Sequence, residues 1–312
     1  MGHCVPEVGR MRKLSFSDFT KSMTMLFINK EIDEKYRKLR AAKVESLMRG
    51  MSGIGTRAGL ERYIRDHSDG LGNILVILGI SEEYFKRVTS TIRVSKGKVF
   101  SSEWSLAATR KYMLQDADMM DTICRLFLDG PHDRLFASLI PSYRLEHFVI
   151  DGRVMGRLGN PDFMDFLVGK DFDINYNNDQ STHHVHRLET ILCDICHMNG
   201  LRLVTNHNVD PVGNGTRDIN VNYEVRKGDH SLPRFYIKYS FNITTSNTQT
   251  VFKRSVKDLR DYIRMKNPEA RQVTIVDGAG WMGRQADLRD VLDYSDYCLN
   301  LRHMEDIREI IR

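Results

Sequence analysis

Two strand-like segments joined by a short turn place the strongest constraint on how this 312-residue chain folds. Polar and apolar residues alternate over residues 217–224, and residues 235–241 form a second segment that is rich in aromatic side chains. A turn sequence, Lys-Gly-Asp at 227–229, lies between them. A period of two is typical of strands, because successive side chains point to opposite faces of a sheet. The pattern predicts a β-hairpin over residues 217–242.

Helical and strand patterns flank this hairpin on both sides. Residues 185–198 have the spacing of an amphipathic helix that ends at Asn199-Gly200, a common stop signal. A short strand at 201–206, a helix at 251–265 and a buried-type strand at 272–276 complete the series. The order helix, strand, strand, helix, strand predicts an α/β (α+β) fold, in which helices cover a mixed sheet.

The first 160 residues are mainly helical in pattern, with one exception. β-Branched residues crowd the segment 87–100 around Lys96-Gly97-Lys98, which predicts a second hairpin there. Residues 152–160 contain three glycines and read as a loop or boundary. We therefore divide the chain into a mainly helical region, residues 1–160, and a domain that carries the first hairpin, residues 161–312.

Composition narrows the class of protein further. There are five Cys, an odd number, and the N-terminus lacks the apolar core of a secretory signal, so we expect a cytoplasmic protein without a disulfide scaffold. No apolar run approaches the ~18 residues of a membrane span. Residues 226–271 contain eleven Lys and Arg but four Asp and Glu. Such a basic block suits a surface that faces a polyanion, although it is also typical of a merely solvated face.

Polar side chains of the two hairpin strands form a candidate reaction site. One strand carries Asp218, Asn220, Asn222 and Glu224 on one face, and the other carries Tyr236, Lys238 and Ser240. If Glu224 pairs with Tyr236, then Asn222 faces Lys238 and Asp218 faces Asn242. Carboxylates hold Mg²⁺, whose bound water attacks phosphodiesters, and a nearby Lys can orient that water. The alternative is a surface hairpin that is polar only on its solvent side.

The helix after the hairpin carries two parallel stripes. An apolar stripe, Phe252, Val256, Leu259 and Ile263, predicts the buried face. A basic stripe follows one position later, at Lys253, Lys257, Arg260 and Arg264. Upstream, the polar loop 244–248 offers Thr245 and Asn247 for contacts with backbone or bases. Together these residues predict contact with DNA phosphates, and plain solvation is the alternative.

These features resemble the DpnII/MboI group of type II restriction endonucleases, a branch of the PD-(D/E)xK superfamily. The matching stretches are residues 236–242, the helix from Val251, and Ile-Val-Asp-Gly-Ala-Gly-Trp at 275–281. The resemblance implies a sequence-specific, Mg²⁺-dependent double-strand DNA endonuclease that acts as a homodimer. It also implies that Asp218 binds the metal and that Glu189, on the preceding helix, approaches it. In this picture the helical region 1–160 serves DNA binding or dimerisation.

The chain departs from that family at Lys238, where a second carboxylate is expected, and at Ser240, where the family has Lys or Asn. In one explanation Glu224 or Glu189 replaces the missing metal ligand, and Lys238 supplies the positive charge. The catalytic set is then Asp218, Glu189, Glu224 and Lys238, and the three carboxylates hold the metal. In the other explanation the site is degenerate, and the protein binds DNA without cutting it.

A third hypothesis concerns a cluster of His and Cys. Cys193 and Cys196 lie shortly after His183, His184 and His186, and these residue types are the usual zinc ligands. The cluster would make the chain a zinc-dependent regulatory module. Because the two Cys lie on an amphipathic helix, core packing is the competing interpretation.

Overall fold

The computed structural model of the protein describes residues 14–209 and 219–312, apart from the side chains of Arg49 and His207. These residues form two compact units. The helical unit is Lys30–Tyr176, and the sheet unit contains the described residues of 1–29 and of 177–312. The sequence suggested a boundary at residues 160–161, where one long helix begins, whereas the two units divide within that helix, between Tyr176 and Asn177. The predicted α/β class with a helical N-terminal region is confirmed.

The helical unit consists of helices of very different lengths, joined by turns and loops. They are α2 (Lys30–Gly50), α3 (Arg57–Asp66), α4 (Gly70–Leu78), α5 (Glu82–Ser95), α6 (Leu106–Gln115), α7 (Ala117–Leu128), α8 (Arg134–Leu139), α9 (Ser142–Leu145), α10 (Gly152–Arg157) and the first part of α11 (Pro161–Met198). Its core includes Phe85, Phe127 and Phe148, all fully buried. The ring centroid of Phe127 lies 5.8 Å from that of Phe85 and 6.2 Å from that of Phe148. Burying one such side chain stabilises the fold by about 1.5–3 kcal/mol.

The hairpin predicted at residues 87–100 was wrong, because residues 87–95 belong to α5, which ends at Ser95. Val88 and Ile92, which suggested a strand, lie one helical turn apart and are both buried. Ser81 caps the helix by accepting a hydrogen bond from the Tyr84 N–H. Gly97 has a φ of +71° and ends the helix instead of turning a hairpin. Burial of one helical face therefore outweighed the β propensity of single residues.

The sheet unit is built around five strands. Its elements are α1 (Phe16–Ser22), the C-terminal part of α11, β1 (Arg202–Val209), β2 (Ile219–Arg226), β3 (Phe235–Phe241), α12 (Thr248–Lys266), β4 (Arg271–Asp277), α13 (Gln285–Tyr294), β5 (Tyr297–Leu299) and α14 (Ile307–Ile310). The strands are ordered β1-β2-β3-β4-β5. The pairs β1–β2 and β2–β3 are antiparallel, whereas β3–β4 and β4–β5 are parallel. The sheet is therefore mixed, as the sequence predicted.

Two helices cover opposite faces of this sheet. Leu188 and Leu192 of α11 share a core with Tyr223 and Ile237. On the other face, Leu259 of α12 packs in a core with Tyr236 and Val221. The predicted apolar stripe of α12 is confirmed, since Val256, Leu259 and Ile263 are buried and Phe252 is partly buried. Because α12 connects β3 to β4, it forms the crossover of a β-α-β unit.

Candidate nucleic-acid interface

The hairpin register is the one predicted from the sequence over its paired part. Glu224 lies opposite Tyr236, and the neighbouring pairs are Tyr223–Ile237 and Val225–Phe235. Asp218, the proposed metal-binding residue, lies outside the described residues. Its expected pairing with Asn242 therefore stays a prediction. The site can therefore be traced only through Glu189, Glu224, Lys238 and the loop that follows β3.

Beyond the paired residues, side chains of one strand bond to the backbone of the other. The N–H of Tyr239 donates to Oδ1 of Asn222 at 3.1 Å. The Nζ of Lys238 donates to the carbonyl of Asn220. Asn220 in turn donates to Oδ1 of Asn208 at 3.2 Å. Asn220 and Asn222, which were expected beside a metal ion, thus form hydrogen bonds between neighbouring strands.

Glu224 is fully buried and forms an ion pair with Arg226 on the same strand. It lies opposite Tyr236, which belongs to the core under α12. The ion pair neutralises a carboxylate that would be very costly to bury alone. The structure thus gives Glu224 a cationic partner within its own strand.

Glu189 lies on the other face of the sheet. Its Oε1 accepts a hydrogen bond from the Tyr223 hydroxyl at 3.0 Å, and its Oε2 lies 3.2 Å from Nδ1 of His186. Because Tyr223 and Glu224 are consecutive in β2, their side chains point to opposite faces. The two carboxylates proposed as alternative metal ligands are therefore separated by the sheet itself.

Lys238 is buried beneath α12, with 4% of the residue exposed. Its Nζ lies 5.9 Å from the ring centroid of Phe252. Burial lowers the pKa of Lys238 to about 8, and the negative charge of Asp258 offsets part of this effect. A buried amine that titrates near neutrality is a common feature of functional sites, although structural lysines share it.

Two members of the predicted basic stripe on α12 are paired with carboxylates. Lys253 lies 2.8 Å from Asp287 and 3.2 Å from Asp290. The hydrogen bond with Asp287 raises the pKa of Lys253. Lys257 pairs with Asp261 on the same helix at 2.6 Å, but nearly half of its side chain remains exposed. Lys253 is therefore engaged in the fold, whereas Lys257 can still meet a ligand.

The other two members of the basic stripe, Arg260 and Arg264, also differ in how far they are exposed. The Arg260 guanidinium packs over the ring of Tyr294, 4.4 Å from its centroid, and lies 3.5 Å from Asp261. Arg264 is exposed, and so is Arg254, which the stripe had not included. Arg254, Lys257 and Arg264 are thus exposed along one side of α12, and we call them the exposed basic face; Lys266, in the last turn, is exposed too.

The polar loop of residues 244–248 is exposed and firmly held. Buried Gln249 donates to the Thr244 carbonyl and accepts from the Ser246 N–H, both at 2.9 Å. Thr245 donates to the carbonyl of Gly280 at 3.1 Å, and Oδ1 of Asn247 accepts from Arg284 at 3.4 Å. These bonds fix the loop while its remaining polar groups face solvent.

The Asp-Gly-x-Gly-Trp motif forms the support of that loop. Gly278 has a φ of +105°, a conformation that favours glycine. At Gly280 a Cβ would lie 2.3 Å from the carbonyl oxygen of Thr244, so only glycine fits there. Trp281 is fully buried and donates from Nε1 to the Ser240 carbonyl at 3.3 Å. The motif thus has a structural explanation in the close approach of two loops.

Asp277 joins three segments, a role that no local sequence pattern indicated. Its carboxylate accepts hydrogen bonds from the N–H groups of Thr24 at 2.7 Å, Leu301 at 2.8 Å and Gly278 at 2.8 Å. The residue is fully buried, and burial raises its pKa to about 6. No local pattern could have revealed this role, because Thr24 is distant in the sequence. Asp277 anchors the loop support.

The His and Cys cluster does not converge on a metal site. Cys196 is buried in the core beneath α11, whereas Cys193 is exposed. The His184 ring packs edge-on against Phe27 and Phe241, and burial lowers its pKa to about 4. Within residues 14–209 and 219–312, three or more His, Cys, Asp or Glu side chains nowhere gather in a metal-binding arrangement. The described residues thus favour core packing for this cluster.

Comparison with family models, with curated proteins and with solved structures finds no match for this chain. The likeness to restriction endonucleases therefore depends on the sequence motifs alone. The described helices are also all too short or too polar to cross a membrane.

Proposed function

We propose that this chain binds double-stranded DNA through the loop of residues 244–248 and the exposed basic face of α12. The observation that carries the proposal is the loop itself. It is exposed and polar, and buried Gln249 and the two glycines of the motif hold it in place. A fixed loop loses little conformational entropy when it binds, which favours specific contacts.

The position of the loop in the fold supports the same proposal. It follows the carboxyl end of β3 and leads into α12, within a β-α-β unit. Ligands of open α/β sheets commonly bind at this end of the strands. The first turn of α12 contains no acidic residue, so the positive end of the helix dipole suits an anion such as a phosphate.

The exposed basic face supplies charge along one side of the helix. Arg254 and Arg264 are ten residues apart, roughly 15 Å along the axis, and Lys257 lies between them. The Lys257–Asp261 pair is largely exposed and screened by solvent, so a phosphate can replace the carboxylate. Three phosphate contacts give a salt slope of roughly −3 in log affinity.

Selection from a random duplex library tests whether the loop reads bases. Duplexes retained by the protein are sequenced, and we expect a short, two-fold symmetric consensus. Asn247→Ala should weaken that preference and leave the total retained DNA nearly unchanged, because the phosphate contacts remain. Equal retention of all sequences would contradict specific recognition, and the absence of any retained DNA would contradict DNA binding altogether.

A second candidate function is Mg²⁺-dependent cleavage of the bound duplex, the activity of a type II restriction endonuclease. The observation that favours it is the buried amine of Lys238, which donates to the carbonyl of Asn220 in β2, two residues after Asp218 in the sequence. Asp218 would hold the metal, and Lys238 would act on the attacking water. In this version Glu189 and Glu224 serve the fold, because they lie on opposite faces of the sheet.

Plasmid DNA separates the two candidates. Incubation with protein and Mg²⁺ should yield discrete fragments if the chain cleaves, and Asp218→Ala should abolish them. Shifted but intact plasmid supports DNA binding without hydrolysis. The homodimer, the symmetric site and a cytoplasmic location belong to the same proposal, since symmetric duplex recognition requires two copies.

A further inference from the structure

The helical unit holds a buried positive charge that the proposed function does not use. Arg93 of α5 is 6% exposed. Its guanidinium lies between two aromatic rings, 3.7 Å from the centroid of Phe100 and 3.5 Å from that of Trp104. Loss of solvation lowers the pKa of Arg93, but a guanidinium stays charged at neutral pH. The rings hold this cation in one position.

Two guanidinium nitrogens of Arg93 lack an acceptor. Nε and Nη1 are both buried, and neither has a hydrogen-bond partner in the part of the chain that the structure describes. Buried donors are nearly always satisfied in folded proteins, by protein, by water or by a ligand. The buried guanidinium of Arg93 therefore keeps hydrogen-bonding capacity that no described protein group uses.

Arg93 lines a cavity of about 400 Å³. This volume lies within the ordinary range of small-molecule sites. Trp104 and Tyr112 form an aromatic part of the wall, with ring centroids 4.6 Å apart, and both are partly exposed. Lys98 also lines the cavity and is exposed. The site thus combines positive charge with flat apolar surface.

The charges around the cavity indicate the charge of the ligand. Lys96 is engaged with Asp118 and donates to Thr122 at 2.7 Å. Asp116 accepts backbone hydrogen bonds at the start of α7 and so belongs to a helix cap. Arg93 and Lys98 remain as two cations without a carboxylate partner among the described ion pairs. A phosphate monoester, with about two negative charges, matches them better than a carboxylate.

We propose that this cavity binds a mononucleotide, with its phosphate toward Arg93 and Lys98 and its base against Trp104 and Tyr112. Phosphate oxygens would accept hydrogen bonds from the Arg93 guanidinium and the Lys98 ammonium at the cavity wall. The planar base would stack on an aromatic ring, as bases do on single-strand binding proteins. The proposal concerns the helical unit and does not depend on DNA binding by the sheet unit.

Tryptophan fluorescence offers a direct test on the full-length chain. It has two Trp, and Trp281 is fully buried, so a ligand in the cavity changes the emission of Trp104. We expect saturable quenching by AMP below about 1 mM at constant ionic strength. Adenosine lacks the phosphate and inorganic phosphate lacks the base, so each should bind at least about tenfold more weakly than AMP. Equal binding of phosphate alone, or no saturation with AMP, would overturn the nucleotide assignment.

Substitution of Arg93 locates the site. Arg93→Met should lower the affinity for AMP at least about tenfold, because a charged hydrogen-bond donor is lost. Arg87→Met is the matched control, since Arg87 lies on the same helix, is exposed and pairs with Glu83. It should leave the affinity unchanged. If Arg93→Met fails to fold by circular dichroism, Lys98→Met serves instead, with a loss of about threefold. Unchanged AMP affinity in the folded Arg93 variant, or in its Lys98 replacement, would contradict the proposal.

Discussion

The face of the sheet under α11 and the face under α12 use their polar groups differently. Under α11, Glu189 is partly exposed and accepts a hydrogen bond from the Tyr223 hydroxyl. Under α12, Glu224 and Lys238 are almost completely buried and bond to groups within the sheet. The sequence had placed all three charged groups in one metal site.

The difference teaches how strand periodicity limits an active-site prediction. Residues on one strand share a face at every second position, so Glu224 and Lys238 could be assigned to a common face correctly. The face that a helix covers cannot be read in the same way. Only the fold shows that α11 covers the face that carries Tyr223, and so separates Glu189 from Glu224.

The largest effect is expected where a buried carboxylate holds the loop support. Asp277→Ala removes the acceptor of three backbone N–H groups, so we expect a loss of about 3–5 kcal/mol in the free energy of unfolding. Urea denaturation measures it. Asp293→Ala, an exposed carboxylate on α13, is the control and should change stability by less than about 0.5 kcal/mol. Equal effects would show that Asp277 is no anchor.

The ion pair on the α12 face comes next. Arg226→Met removes the cation from the buried carboxylate of Glu224, and we expect a loss of about 2–4 kcal/mol. The double variant with Glu224→Gln should recover much of it, because the buried negative charge is then absent. Chemical denaturation of both variants checks this. A double variant no more stable than Arg226→Met would contradict the burial argument.

Lys238 provides a pH-dependent test of the same face. Its pKa is about 8 in the fold and 10.5 in the unfolded chain, so the unfolded state binds more protons between these values. Stability contributed by this group therefore rises with pH across that window, by roughly 3 kcal/mol in total. Lys238→Met should remove this rise, which denaturation at pH 7 and pH 10 would detect. An unchanged slope would mean that the amine is solvated.

The smallest effect is expected on the α11 face. Glu189→Gln keeps an acceptor for the Tyr223 hydroxyl, and about 40% of the Glu189 side chain is exposed. We expect a loss below about 1 kcal/mol. In the plasmid assay the same variant should behave like the unmodified protein. A selective loss of Mg²⁺-dependent cleavage in Glu189→Gln would restore Glu189 to the metal site and invalidate the separation of the two faces.

Much of the sheet unit follows from local pattern. The apolar stripe of α12 and the pairing of Glu224 with Tyr236 were predicted correctly, because periodicity and turn position determine them. The segment at 87–100 was not, since Val88, Thr89 and Ile92 are buried on one side of a helix. Propensity is a weak guide where packing decides.

The partners of charged groups could not be derived from local pattern either. Lys253 was expected to contact DNA, but it pairs with Asp287 and Asp290 on another helix. Asp277 accepts a hydrogen bond from Thr24, which lies more than two hundred residues away in the chain. Such contacts depend on how distant segments meet, and local periodicity carries no information about that.

The central claim is that the exposed basic face binds DNA, and fluorescence anisotropy with a labelled duplex tests it most directly. The triple variant Arg254→Gln, Lys257→Gln and Arg264→Gln is compared with a control that removes three exposed cations of the helical unit, Arg87, Lys111 and Arg134. We expect the first to bind at least about tenfold more weakly, with a salt slope reduced by roughly 3, and the control to change little. Equal losses in the two triple variants, or none in the first, would contradict the account.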